Sequence, residues 1–305
     1  MRLSLALATV LALALAGSAS SSSTGADVLA KIQTGPGSRP CSVAFAAGSA
    51  WASLFGTAEV VRIDPATNAV VARVKVGEKP CGITAAAGAI WVGNYTGSSV
   101  MRIDPATNRI VKRFSVRLVY DVLAGHGSVW ATSQSGIVYR IAPRRNRVVE
   151  RLFLPGPAGG LAMTRTAVWV GRADGTAVHR IDPRRMKVVR TLRTGKGSTW
   201  LASTRDVLWV SNGLDGTVTR VDARTNRRVA KIAVGRGPAD SGFVRGQLWV
   251  PNLSEATLSR IDPATNRVVE TVPVGAGPFV VPDHASELWV ASWAGEEVWR
   301  MAPSG

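Results

Sequence analysis

Seven tryptophans recur along the chain at a nearly constant step: Trp51, Trp91, Trp130, Trp169, Trp209, Trp249 and Trp289. Seven arginines keep the same step: Arg62, Arg102, Arg140, Arg180, Arg220, Arg260 and Arg300. Successive tryptophans lie 39 or 40 residues apart, and successive arginines 38 or 40. Two independent ladders in one register make the chain an array of seven like units. Self-similarity at this period belongs to repeat architectures, and it constrains the fold before any single residue is considered.

Each unit holds four short runs of β-forming residues. In the second unit they are Cys81–Ala85, Ala89–Val92, Ser99–Ile103 and Arg109–Arg113. Gly-rich turns separate them, and no stretch keeps a helical period over about ten residues. The turn before the fourth run has a mechanism. In Asp104-Pro105-Ala106-Thr107-Asn108 the Asp bonds forward to the turn backbone, Pro presets φ, and Asn tolerates the left-handed position. Four strands in about 40 residues make one propeller blade. The fold expected is therefore an all-β, seven-bladed β-propeller with four-stranded antiparallel blades, as a single domain over residues 27–303.

Closure is also readable. The last unit stops at Arg300-Met301-Ala302-Pro303, the end of a third strand. Asp27–Gln33 looks like a fourth strand with no third strand before it. The N-terminal strand is expected to complete the last blade and remove the open edge of a linear array. The recurring Trp is expected to pack between blades. The recurring Arg is expected to bond neighbouring carbonyls or the turn Asp, which Ala142 and Ala302 replace in two units.

Residues 1–23 read as a secretory signal and small-residue leader. Arg2 is followed by the apolar run Leu3–Ala16 and by Gly17-Ser18-Ala19. That run is too short to span a bilayer, and the mature chain contains no other candidate span. The expected location is periplasmic or extracellular. The whole chain carries a formal charge of +17, and the excess clusters at 109–117, 144–151, 184–193 and 224–231. Lysine and arginine on exposed edge strands block edge-to-edge aggregation. The competing reading is a basic belt for anionic envelope polymers. Charge without a recognition motif does not indicate sequence-specific nucleic-acid binding.

The string Trp91-Val92-Gly93-Asn94, then Arg102-Ile103-Asp104-Pro105-Ala106-Thr107-Asn108, then a Val-rich strand ending in Gly-x-Gly-Pro, resembles the YVTN-type (YncE-like) propeller repeat. The resemblance covers about residues 27–303 and implies fold more than function. The related streptogramin (virginiamycin B) lyases are similar in blade number. The resemblance to them implies a metal held by His and Glu on one face.

This chain has three histidines, His126, His179 and His284, in three different units. No two have metal-ligand spacing. Asn94, Asn212 and Asn252 share the slot three after the Trp and are the weak alternative for a calcium or magnesium site. Their simpler role is to end a strand and bond the turn. Asp121 and Asp240 are the only carboxylates where first strands begin. The Gly-x-Gly strings precede no helix and are not dinucleotide fingerprints. Cys41 and Cys81 occupy one slot in adjacent units. An exported chain permits a disulfide between them, and two buried thiols fit equally.

One face breaks the repeat with large groups. Phe55, Tyr95, Gln134 and Trp293 follow second strands, Trp200 and Phe279 start first strands, and Arg172 replaces the Asn slot. In a propeller these turns share a face, so the set is the candidate ligand-binding surface, expected to line a funnel mouth. The functional expectation is an exported, non-catalytic binding protein of the envelope, taking a peptide, glycan or protein partner without a cofactor. The alternative is a metal-dependent lyase or lactonase acting in the central channel.

Overall fold

The computed structural model describes residues 25–304. The predicted leader, 1–23, lies outside the described residues. Twenty-eight strands form seven four-stranded antiparallel sheets, and no helix occurs among the described residues. Blades 1 to 7 begin with innermost strands Pro40–Ala46, Pro80–Ala86, Val119–Gly125, Ala158–Thr164, Ser198–Ser203, Gly242–Val244 and Pro278–Val280. Asp27–Gln33 pairs antiparallel with Glu297–Ala302, completing blade 7 and closing the ring.

The Trp ladder is the inter-blade core. All seven indoles are at most 2% exposed. Trp51, for example, packs with Val60, Val74, Ile83, Ile90 and Val92, which belong to blades 1 and 2. Each ladder Arg lies over the Trp of its own blade, with guanidinium carbons 5.2–5.7 Å from the ring centroids. The same guanidinium then reaches the next blade. Arg62 Nη1 donates to Pro105 O at 3.1 Å, and Arg220 Nη1 donates to Pro263 O and Asn266 Oδ1 at 2.6 Å each. Arg300 closes the circle onto Pro65 O and Asn68 Oδ1 in blade 1.

The turn Asp is not the Arg partner. It accepts from its own turn, as Asp64 Oδ1 does from Ala66 N at 2.9 Å. The turn Asn has two roles. Asn68, Asn108, Asn146, Asn226 and Asn266 all have φ between 50° and 62°, and each accepts from the preceding blade's Arg. Blade 4 carries Met186 at this position, also with positive φ. Arg140, deprived of an Asn acceptor, bonds Glu150 Oε2 at 2.8 Å instead.

The outermost strands of blades 2 to 5 carry the basic clusters. In Arg109–Ser115 only Phe114 is buried, so Lys112 and Arg113 face solvent. Blades 6 and 7 depart from the repeat at the axis. Their innermost strands shrink to three residues each, and parallel bridges tie Asp240 to Val280 and Val244 to His284.

Candidate functional site: an aromatic cup over a carboxyl-lined channel

Blade-to-blade turns and second-to-third strand turns meet on one face. Phe55 N donates to Arg39 O at 3.1 Å, and Tyr95 N donates to Lys79 O at 2.9 Å. On this face lies a cavity of about 250 Å³ at the channel mouth. Six of the seven predicted face residues line it: Phe55, Tyr95, Gln134, Trp200, Phe279 and Trp293. Tyr120 lines it as well, with the Cys41–Cys81 disulfide forming part of the wall.

The rings form a continuous arc. Centroid separations are 4.7 Å for Phe55–Trp293, 5.6 Å for Trp293–Phe279, 5.1 Å for Phe279–Trp200 and 5.1 Å for Trp200–Tyr120. Tilted and edge-on contacts of this kind each add about 0.5–1.5 kcal/mol beyond burial. The arc therefore holds its shape while leaving ring faces accessible. Tyr95 Oη donates to Gln134 Oε1, fixing the blade 2 and blade 3 side of the wall.

Strand alternation explains the selection. Phe55, Tyr95, Gln134 and Trp293 all stand four residues after their ladder Trp, in four adjacent blades. Blades 4, 5 and 6 place Ala173, Gly213 and Leu253 there, so the wall is one-sided and Tyr120, Trp200 and Phe279 close it from within.

Arg172 does not join the cup. It stands one residue earlier, where side chains point into the blade body, and it forms an ion pair with Asp174, with Nε 3.0 Å from Oδ1. Asn94, Asn212 and Asn252 share that inward slot and are fully buried. They bond hydroxyls of the third strand rather than the turn backbone: Asn94 Nδ2 donates to Ser99 Oγ at 3.1 Å, and Asn252 Nδ2 to Thr257 Oγ1 at 3.0 Å. None of the three lines the cup or the channel.

The histidines stay apart. His126 occupies the left-handed first position of a hairpin turn, ahead of Gly127. His179 is buried with Nδ1 2.9 Å from Thr191 Oγ1. His284 stacks near Phe45 at 4.6 Å.

Beneath the cup the axial channel encloses about 340 Å³. Three carboxyls line it: Asp121, Asp240 and Asp283. Asp121 and Asp240 share one slot, nine residues before the ladder Trp, in blades 3 and 6. Asp121 Oδ1 accepts from Val122 N at 2.7 Å, and Oδ2 accepts from Leu161 N at 2.8 Å, which ties blade 3 to blade 4. Asp283 Oδ1 accepts from Phe243 N at 2.7 Å, tying blade 7 to blade 6. The carboxyl of Asp240 lacks a hydrogen-bond donor among the described residues.

Gly82 makes room for this arrangement. A methyl group there would come within 2.6 Å of Asp121 Oδ1 and Val122 N.

Removal from water sets the charge state. Burial pushes Asp121 up to about 6, against the pull of its two backbone donors. Burial raises Asp240 well above the ordinary carboxylate range, and the neighbouring Asp121 and Asp283 raise it further. Asp283 is raised as well by the partial loss of water around its carboxyl, although the residue as a whole is exposed and the effect is correspondingly weaker. Burial and the charges of Asp121, Asp240 and Tyr95 hold the Tyr120 phenol in its protonated form. No Lys or Arg is among the residues lining the cup or the channel.

No protein-family model matches the chain, and no curated protein matches it. Solved structures do. One described as a streptogramin B lyase structure superposes with a TM-score of 0.79 at 12% identity, over 92% of this chain and 98% of that one. The Kuenenia stuttgartiensis hydrazine synthase gives a TM-score of 0.78 at 13% identity, over 89% of this chain and 97% of that one. At these identities the likeness is one of fold. Among the described residues, no group of three or more His, Cys, Asp or Glu is placed to hold a metal ion, so the three channel carboxyls do not converge on one point.

Tyr120 and Asp283 escape a reading of the sequence alone. Tyr120 has a usable signal, since it occupies the same slot as Phe279, ten residues before the Trp. Asp283 has a weaker one. It falls in a slot held elsewhere by Phe45, Ala85 and Met163, within the stretch where the innermost strand of blade 7 is cut short.

Proposed function

We propose that this chain is an exported propeller of the YVTN type that binds a ligand without transforming it, through the aromatic cup at the channel mouth. The observation that carries the reading is the arc of half-buried rings drawn from separate blades onto one cavity. Apolar concavities with a few polar groups are the usual form of a ligand site. Half-buried aromatics that already support one another lose little freedom when a ligand stacks on them, and such side chains dominate binding energies. The rigid ring of blades supplies the preorganisation.

The test is a panel of envelope-derived peptides and oligosaccharides, titrated against the protein by tryptophan fluorescence, with product formation followed in parallel. A binder should give a saturable change and no product. Trp200→Ala and Trp293→Ala should each weaken it by about 2 kcal/mol or more, with the melting temperature kept. Binding that survives both substitutions places the site elsewhere, and turnover of any panel member ends the non-catalytic reading.

A further inference from the structure

We propose that the cup selects a small organic ammonium ion, held between ring faces at the mouth and carboxyl groups on the channel wall below. The inference rests on the reading of the cup as a ligand site and names what enters it.

Three observations converge. The first is the lining: the rings of Phe55, Tyr95, Tyr120, Trp200, Phe279 and Trp293 surround one small space. A ring face carries the negative end of the aromatic quadrupole, so a cage of faces attracts a cation that is willing to shed water. An alkylated ammonium is such a cation; a strongly hydrated metal ion is not. The second is the floor. Tyr120 is followed directly by Asp121, and Asp121 shares its slot with Asp240, so the carboxyls lie immediately below the rings. The Asp240 carboxyl accepts no hydrogen bond from the described residues, whereas those of Asp121 and Asp283 each accept from backbone donors. The third is the absence of a counter-charge: no Lys or Arg lines either space. Three carboxyls face a void with no basic group of the chain on its walls.

The chain already shows the attraction at the rim. Lys79 Nζ stands 5.8 Å from the centroid of Phe55. The overall positive charge does not oppose entry. The basic clusters sit on the outermost strands, and exposed charges are screened within a Debye length of about 8 Å at physiological salt. At the axis the local groups decide.

The groups facing the bound cation are Asp121, Asp240 and Asp283 from the channel wall, Tyr95 and Tyr120 from the cup, and Lys79 from the rim. Burial and the neighbouring Asp121 and Asp240 hold the Tyr120 phenol in its protonated form. The carboxyls with raised affinity for protons must lose one to meet the cation, so binding should strengthen as pH rises from 5 to 8, with proton release.

The experiment compares choline and tetramethylammonium with 3,3-dimethyl-1-butanol, the uncharged carbon analogue of choline. The full-length mature protein is titrated by tryptophan fluorescence and by calorimetry in two buffers at pH 5.5 and pH 8. The expected result is binding of the cations at least about tenfold tighter than the neutral analogue at pH 8, a smaller preference at pH 5.5, and buffer-dependent heats that report proton release. Asp240→Asn should abolish most of the preference and most of the pH dependence while leaving the protein folded and at least as stable as the wild type. Trp200→Ala should weaken cation and neutral analogue together.

Equal binding of cation and analogue would overturn the inference and leave the cup standing as a ligand site. Cation binding unaffected by both Asp240→Asn and Trp200→Ala would overturn it by placing the cation elsewhere. No binding of any of the three probes would overturn the cation assignment as well, and the peptide and oligosaccharide panel would then judge the cup by itself.

Discussion

Replacing Asp240 by Asn tests the charge state of the channel directly. Ionised in water but buried here, a carboxyl with raised pKa favours folding only when protonated. The sign follows from linkage. The folded chain binds the proton more tightly than the unfolded chain, so the stabilising contribution is full below the unfolded value and is lost as pH rises through the folded one. For Asp121 the window runs from 3.8 to about 6, and at ~1.4 kcal/mol per pH unit that is roughly 3 kcal/mol. Asp240 is displaced in the same direction by burial, by Asp121 and by Asp283. Asparagine has the shape of the protonated acid and no charge. At about pH 3, below the unfolded value, the variant should match the wild type to within about 0.5 kcal/mol, as expected for a neutral isostere. By pH 8 it should be the more stable of the two.

Urea unfolding followed by tryptophan fluorescence at several pH values is the assay; guanidinium is avoided because it is itself an organic cation. Taking the difference between variant and wild type removes the opposite trend from the turn aspartates. Asp104, Asp182, Asp222 and Asp262 are held low by backbone donors and lose stability in acid. Asp121→Asn provides the contrast. One amide oxygen cannot replace two carboxylate oxygens that accept from Val122 N and Leu161 N, so this variant should lose about 1–3 kcal/mol. A difference curve for Asp240→Asn that stays flat, or a variant that is less stable throughout, would mean that Asp240 is ionised and paired in the native protein, and the reasoning would fail.

Two further outcomes follow from the inter-blade ties. The Cys41–Cys81 bond closes a 40-residue separation, for which chain entropy gives an upper bound of about 4 kcal/mol; the double Cys→Ser variant should melt several degrees lower, reductant should reproduce the drop in the wild type, and a melt insensitive to reductant would contradict the bond. Arg220→Lys keeps the charge but cannot span Pro263 O and Asn266 Oδ1 while covering Trp209, so it should lose about 1–2 kcal/mol in urea unfolding, and an unchanged midpoint would reduce the clamp to a bystander.

What could be read from the chain was whatever the seven units share. The Trp and Arg slots recur because each blade must bury one face against the next, and repetition makes that demand visible without any contact being known. The site has the opposite origin. It is assembled from departures: Trp293, Phe55, Tyr95 and Gln134 four residues after the Trp in blades 7, 1, 2 and 3, and Tyr120, Trp200 and Phe279 at the start of first strands. Departures show where to look but not which way a side chain points. Arg172 is one residue out of phase with the cup slot, and in a strand one residue reverses the face. Its neighbours in that slot, including Asn94 and Ser292, are fully buried. A charged side chain cannot stay there unpaired, so it turns back to Asp174.

The carboxyls make the same point about range. Asp121 and Asp240 stand far apart in the chain and share only a slot number, yet the ring brings both to one void. Sequence spacing gives each its level along the axis. It says nothing about the space between blades 3 and 6, which depends on the side chains that every other blade contributes at that level. Ser42, Gly82, Gly160, Trp200 and Val280 hold that slot in the other blades, yet Trp200 joins the cup and of the five only Ser42 and Val280 line the void. A methyl at position 82 would come within 2.6 Å of the Asp121 carboxylate. Gly82 and Asp121 are thus one feature, a close approach of two blades that leaves room for the carboxyl, and only the assembled ring displays it.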